Sequence, residues 1–143
     1  MSPRRARQSQ PMPAWLPPML AVLTEERFSD PAWIYEPKLD GIRCLAFVDG
    51  HGVRLLSRNR LALNAAYPEI VERLARAAAD QVILDGEIVA LEHGVSSFQR
   101  LQQRSGLSDP AEIRRSRVRV HFYIFDILYR GGRDLRALPL LDR

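Results

Sequence analysis

The feature that most constrains this chain is the run Gln81 to Leu91, a stretch rich in β-branched and apolar residues with two carboxylates at its middle. Read as a strand, its period of two puts Ile83, Asp85, Glu87 and Val89 on one face. Like charges two residues apart on one face repel, so a cation, either a metal or an arginine, is their natural neighbour. A solvent-facing pair is the competing reading, but the hydrophobic flanks mark a largely buried strand.

Candidate partner strands stand on both sides. Ile42 to Val48 alternates weakly, Asp49-Gly50-His51-Gly52 supplies turn chemistry, and Val53 to Ser57 returns, which predicts a hairpin. Downstream, Arg117 to Tyr129 reads as a strand with Val118, Val120, Phe122 and Ile124 pointing one way and Arg119, His121, Tyr123 and Phe125 the other. Phe125 thus leaves the core face. An aromatic ring among cationic side chains is a stacking platform for a base, and packing under a loop is the alternative.

Helices are predicted between the strands. Tyr67-Pro68-Glu69 opens one, with Ile70, Val71, Leu74, Ala75 and Ala78 as its apolar stripe. Ser96-Ser97 caps a short helix from Phe98 to Arg104 that turns Phe98 and Leu101 inward. Asp109-Pro110-Ala111-Glu112 starts another short one. The expected fold class is α+β, a mainly antiparallel sheet with two or three helices behind it.

The chemistry concentrates in Trp33 to Arg43, where a lysine sits among two acids, a glycine and an arginine. Trp33 to Tyr35 reads as a strand end, and Pro37, which has no N–H for a ladder, pushes Lys38 onto an edge or loop. Lys38 is the candidate nucleophile. A lysine amine, with a pKa near ~10.4 when free, needs burial or a neighbouring cation to attack at neutral pH, and Arg43 is the candidate neighbour. Gly41 lets the backbone approach a bound group. Taken alone, Lys-x-Asp-Gly-x-Arg also describes a polar turn entering a strand. Arg58 and Arg60, in Ser57-Arg58-Asn59-Arg60, offer guanidinium forks for phosphates, with a solvated loop as the alternative.

Four segments in order, Glu36 to Arg43, Leu55 to Arg60, Ile83 to Val89 and Phe122 to Leu128, resemble motifs of the adenylation domain of ATP-dependent DNA ligases, closest to the ligase module of bacterial end-joining ligases. The resemblance runs from about Trp15 to Arg143 and implies a nucleotidyltransferase subdomain of the DNA ligase and capping-enzyme type, ATP-grasp-like. It also implies that Lys38 attacks the α-phosphate of ATP and becomes a lysyl-adenylate. AMP then passes to a DNA 5′-phosphate, and the 3′-hydroxyl seals the nick. Glu36 resembles the residue that reads the adenine edge, and Phe125 the ring that stacks on it. Arg43 and Glu87 match ribose and metal-linked contacts, and Arg58 a phosphate contact. Asp40, Gly41 and Asp85 take supporting roles. The implied cofactors are ATP and Mg²⁺ or Mn²⁺, and the partners are nicked or broken double-stranded DNA, together with end-joining proteins or a separately encoded C-terminal half.

The sequence departs from the family pattern in three respects: Lys38 is its only lysine, so the later lysine motif is absent. The second acidic metal motif and the OB-fold domain are absent too. The expectation is the front part of an adenylation domain, a disordered basic leader over 1–14 and the domain portion over 15–143. Two alternatives stay open, a non-catalytic nucleotide- or DNA-binding module and a related RNA ligase or capping nucleotidyltransferase.

Composition narrows the classes further. A single cysteine, Cys44, excludes an internal disulfide and a cysteine zinc site, and the three histidines match no ligand spacing. No run is long or apolar enough to span a membrane, and the proline-broken leader is no signal core, so a cytoplasmic protein with no membrane partner is expected. Arg4, Arg5 and Arg7 precede the first acid, Glu25, and predict a basic arm attracted to phosphates.

Overall fold

The computed structural model describes residues 9–143, so Arg4, Arg5 and Arg7 lie outside the described residues. Its frame is one antiparallel sheet. Strands β1 (Ile42–Asp49), β2 (Gly52–Ser57), β3 (Val82–Glu92), β5 (Val120–Arg130) and β6 (Arg133–Asp134) lie in the order β2-β1-β3-β5-β6, and the short β4 (Val95–Ser96) folds back on the end of β3. The charged strand is central. β1 pairs with it on one side and β5 on the other, as the two apolar runs flanking it in sequence require.

Asp49 opposes Gly52 across the β1–β2 turn, and the Asp49 side chain accepts the His51 N–H at 2.8 Å. Two helices, α1 (Pro68–Ala77) and α2 (Phe98–Ser105), cover one face through Ile70, Leu74 and Leu101, and a third, α3 (Pro110–Arg115), follows with no buried residue. The caps are those the sequence encodes. The Ser97 hydroxyl accepts the Arg100 N–H at 3.2 Å, and the Asp109 carboxylate accepts the Ala111 N–H at 2.7 Å.

Alternation along β1 splits the core in two. Cys44, Ala46 and Val48 face the helices with Ile70, Leu74, Ile88, Ala90 and Leu101, while Leu45 and Phe47 face the other way with Leu16, Ile83, Leu128 and Tyr129. Burial of the Cys44 thiol pushes its pKa up to about 12. An ion pair buried on one side ties α1 to α2: Arg104, only 1% exposed, donates to both oxygens of the more exposed Glu69 at 3.1 Å and stands over the Tyr67 ring.

Four local expectations are corrected. Trp33 to Tyr35 form no strand. Asp30 turns the chain by accepting the Ala32 and Trp33 N–H groups, and Trp33 and Tyr35 pack against Phe28 at 5.1 and 6.3 Å between ring centroids. With no neighbouring strand beside them, these rings stay exposed. Phe98 lies on the exposed side of α2, and only Leu101 of the expected pair is buried, because a single short helix presents one inward turn.

Ile124 keeps the phase of Phe122, opposite Gly86, yet it is exposed and packs into neither core. Downstream of it, two register irregularities against β3, between Ile83 and Leu84 and between Asp85 and Gly86, each insert a residue into β5 and reverse the phase of the alternation. Finally, residues 9–14, assigned by composition to a disordered leader, make specific contacts. Gln10 donates its N–H to the Gly132 carbonyl at 2.9 Å and accepts the Tyr129 hydroxyl at 2.6 Å, while Met12 packs against the second core.

Candidate nucleotide site

The face of the sheet opposite the helices carries the charged residues. Arg43 follows the phase of Leu45 and Phe47, and Asp85 and Glu87 follow that of Ile83, so the three share one face, with Arg43 directly across from Glu87. Arg43 supplies the cation that the paired carboxylates call for. Its Nε and Nη2 donate to the two Asp85 oxygens at 2.6 and 2.8 Å, a bidentate pair in which the Asp85 side chain is 4% exposed and the Arg43 side chain 29%. Donating to Asp85 raises the Arg43 pKa further above its ordinary value.

Phe125 completes the arrangement. Asp126 opposes Asp85 and Ile124 opposes Gly86, which leaves Phe125 as the surplus residue of a bulge, and its ring lies 4.6 Å from the Arg43 guanidinium. Gly86 is required beneath it, since any side chain there would run into the Tyr123 carbonyl and the Phe122 ring. Burial holds the Glu87 carboxyl above the ordinary carboxylate range, against the opposing pull of Arg43 and of the Gly41 N–H. Burial likewise raises Asp126, which Arg143 partly offsets through an ion pair at 3.1 Å.

The Lys38 loop reaches this face through its following residues. The Asp40 N–H donates to the Ser96 hydroxyl at 2.9 Å, and the Gly41 N–H lies near enough to Glu87 to draw its carboxyl downward. Gly41 passes so close to β3 that a Cβ there would meet the Ile88 carbonyl and the Val89 side chain. Lys38 and Glu36 are exposed and make no hydrogen bond or ion pair among the described residues. Arg43, the neighbour expected to tune the lysine, is committed to Asp85 and Phe125 instead. Arg58 is exposed one residue beyond the end of β2, where Ser57 opposes Cys44, and makes no hydrogen bond or ion pair among the described residues. Sequence reading passed over Asp126 as a member of the charged face, because the bulge that turns it there has no sequence mark of its own.

Among the described residues, no three metal-ligating side chains converge. No helix among the described residues is long and apolar enough to cross a membrane.

Residues 18–143 match the family model of the ATP dependent DNA ligase domain. The chain is 37% identical over 134 residues to the bifunctional non-homologous end joining protein LigD of Bacillus subtilis, covering 87% of this chain and 22% of that protein. It is 38% identical over 114 residues to DNA ligase C of Mycobacterium tuberculosis, covering 76% of this chain and 31% of the relative. Among solved structures, the ligase domain of M. tuberculosis LigD aligns with a TM-score of 0.63 at 37% identity, over 76% of this chain and 33% of that one. A mycobacterial DNA ligase D complexed with ATP and MES aligns with a TM-score of 0.62 at 37% identity, again over 76% of this chain and 33% of that one. The chain spans between 15% and 39% of the length of these and similar curated relatives.

Proposed function

Since the chain belongs to the ATP-dependent DNA ligase family, we propose that it is the nucleotide-binding part of an end-joining DNA ligase in which Lys38 is the adenylated residue. The Lys38 amine loses a proton and forms a bond from Nζ to the α-phosphorus of ATP, while the bond from that phosphorus to the β-phosphate oxygen breaks and pyrophosphate leaves. AMP passes next to the 5′-phosphate of nicked or broken duplex DNA. The 3′-hydroxyl then displaces AMP and closes the strand.

The observation that carries this reading is the tie between the lysine loop and the charged face: the only lysine of the sequence sits three residues before Gly41, whose backbone is pressed so closely against β3 that a Cβ there would meet the Ile88 carbonyl and the Glu87 side chain. Phe125 supplies the ring on which adenine stacks, and Glu36 reads the edge of the base. Arg43, held by Asp85, is oriented toward the ribose. Arg58 takes a phosphate, and Asp40 and Gly41 hold the loop in place. When bound at Glu87, Mg²⁺ or Mn²⁺ supplies charge neutralisation for the triphosphate. End-joining proteins and a separate downstream half are the partners proposed for the later steps.

The test is intact-mass analysis with α-labelled ATP and magnesium or manganese, on the wild type and Lys38→Ala. One covalent AMP on the wild type alone is expected. An adduct on both proteins, or on neither, overturns Lys38 as the adenylated residue of this chain. GTP in place of ATP separates the capping-type alternative.

A further inference from the structure

Beside α2 and α3 lies a shallow, open cleft of about 450 Å³, bordered by Arg100, Gln103, Leu107, Glu112, Arg115 and Arg117. Three guanidinium groups therefore share the walls with one carboxylate. Elsewhere in the fold many arginines are neutralised in pairs: Arg43 with Asp85, Arg104 with Glu69, Arg130 with Asp80, Arg136 with Asp134 and Arg143 with Asp126. In the cleft, no carboxylate of the described residues lies within ion-pair distance of Arg100, Arg115 or Arg117, and Glu112 is not paired with any of them. Arg115 instead donates to its own helix at the Ala111 carbonyl, 3.2 Å away. Arg114 and Arg119 extend the exposed positive surface on either side of Arg115 and Arg117.

Unneutralised like charges around one concavity form an anion receptor, and guanidinium forks suit phosphodiester oxygens. Topology relates this receptor to the lysine loop. Val120, just beyond Arg117, opposes Ala90 near the end of β3, and Ser96, which holds the Asp40 N–H, lies one residue before the cap of α2. The cleft and the lysine loop are thus built on the same end of the sheet.

We propose that the α2–α3 cleft binds the phosphate backbone of duplex DNA away from the reacting end, as a second anchor distinct from the nucleotide face. This rests on the ligase reading for its choice of polyanion. The contacts are to phosphate, so they carry affinity and register without sequence preference.

The test measures binding of a nicked duplex by fluorescence anisotropy across a salt series, using the full chain. Arg100→Gln/Arg115→Gln/Arg117→Gln is expected to lower the slope of log K against log salt by about 2.7, three phosphate contacts at ~0.9 each, and to weaken binding at least about tenfold at 0.1 M salt. Glu112→Gln is expected to tighten binding, a gain that misfolding cannot produce. A control removing equal charge from exposed positions elsewhere, Arg73→Gln/Arg76→Gln/Arg133→Gln, is expected to leave most of the affinity intact. Equal losses in both triple variants would overturn the proposal in favour of net charge alone. Calorimetry with inorganic phosphate distinguishes the other source of the same chemistry: phosphate binding lost in the cleft variant, with DNA binding unchanged, would assign a free anion and overturn the DNA assignment. Lysyl-AMP formation is read in parallel. Its absence from the wild type, alongside arginine-dependent DNA binding, would overturn the function of Lys38 and leave the cleft standing.

Discussion

The Arg43–Asp85 pair is asymmetric in burial, and the asymmetry predicts unequal costs for removing its two members. Arg43→Ala strands a carboxylate whose side chain is 4% exposed, previously satisfied by hydrogen bonds of 2.6 and 2.8 Å. Stranding a buried charge costs about 3–5 kcal/mol. Asp85→Ala strands a guanidinium that is 29% exposed, still stacked on Phe125 and able to reach water, for a cost of about 1–3 kcal/mol. At ~2–4 °C per kcal/mol for a domain of this size, Arg43→Ala is expected to lower Tm by on the order of 10 °C and Asp85→Ala by roughly half that. Arg43→Met/Asp85→Leu, which removes both charges and fills the space, is expected to cost less than the sum of the single replacements. Urea and thermal unfolding followed by circular dichroism give these values directly. If Asp85→Ala costs as much as Arg43→Ala, or if the costs simply add, burial is not what governs the pair.

Glu87, raised above the ordinary carboxylate range by burial, sets a pH dependence of definite sign. Its folded form holds a proton more tightly than its unfolded form, so its contribution favours folding below the ordinary carboxylate pKa and is lost as pH rises through the raised folded value. Glu87→Gln is expected to flatten that part of the stability profile, and an unchanged profile in a pH titration of unfolding would contradict the assignment. Cys44, with its thiol pushed up to about 12 by burial, is expected to resist a thiol reagent until the chain unfolds. Labelling as fast as that of a free thiol in native buffer would show that the hairpin opens locally.

The sheet was legible in the sequence because alternation and turn residues coincide in the segments that form it. The hairpin joining β1 and β2, the central β3 and the capped helices α2 and α3 arise from patterns local to each segment. Loss of legibility begins where pairing at long range decides. The carboxylates on β3 call for a cation without naming it, and Arg43, 42 residues upstream of Asp85, becomes the partner only through the β1–β3 register. Arg104 and Glu69, 35 residues apart, likewise carry no shared pattern, although Arg104 is among the most buried side chains. Trp33 to Tyr35 misled because apolar residues can satisfy one another in a loop as readily as in a strand. Along β5 the place of Asp126 was hidden because strict alternation cannot anticipate where a strand will carry more residues than its neighbour.

That surplus has a meaning for how the domain can be edited. In a regular strand, Phe125 and Asp126 are neighbours that must look in opposite directions, yet here both serve the charged face. A deletion confined to Phe125 would let the ladder close up with Asp126 still opposite Asp85, giving a more regular sheet that has lost its ring. An insertion next to it would instead turn everything upstream in β5 to the wrong side. The strand therefore tolerates length changes unequally at this point, and a regular-looking variant of this sheet is the one to suspect of having lost the ring beside Arg43.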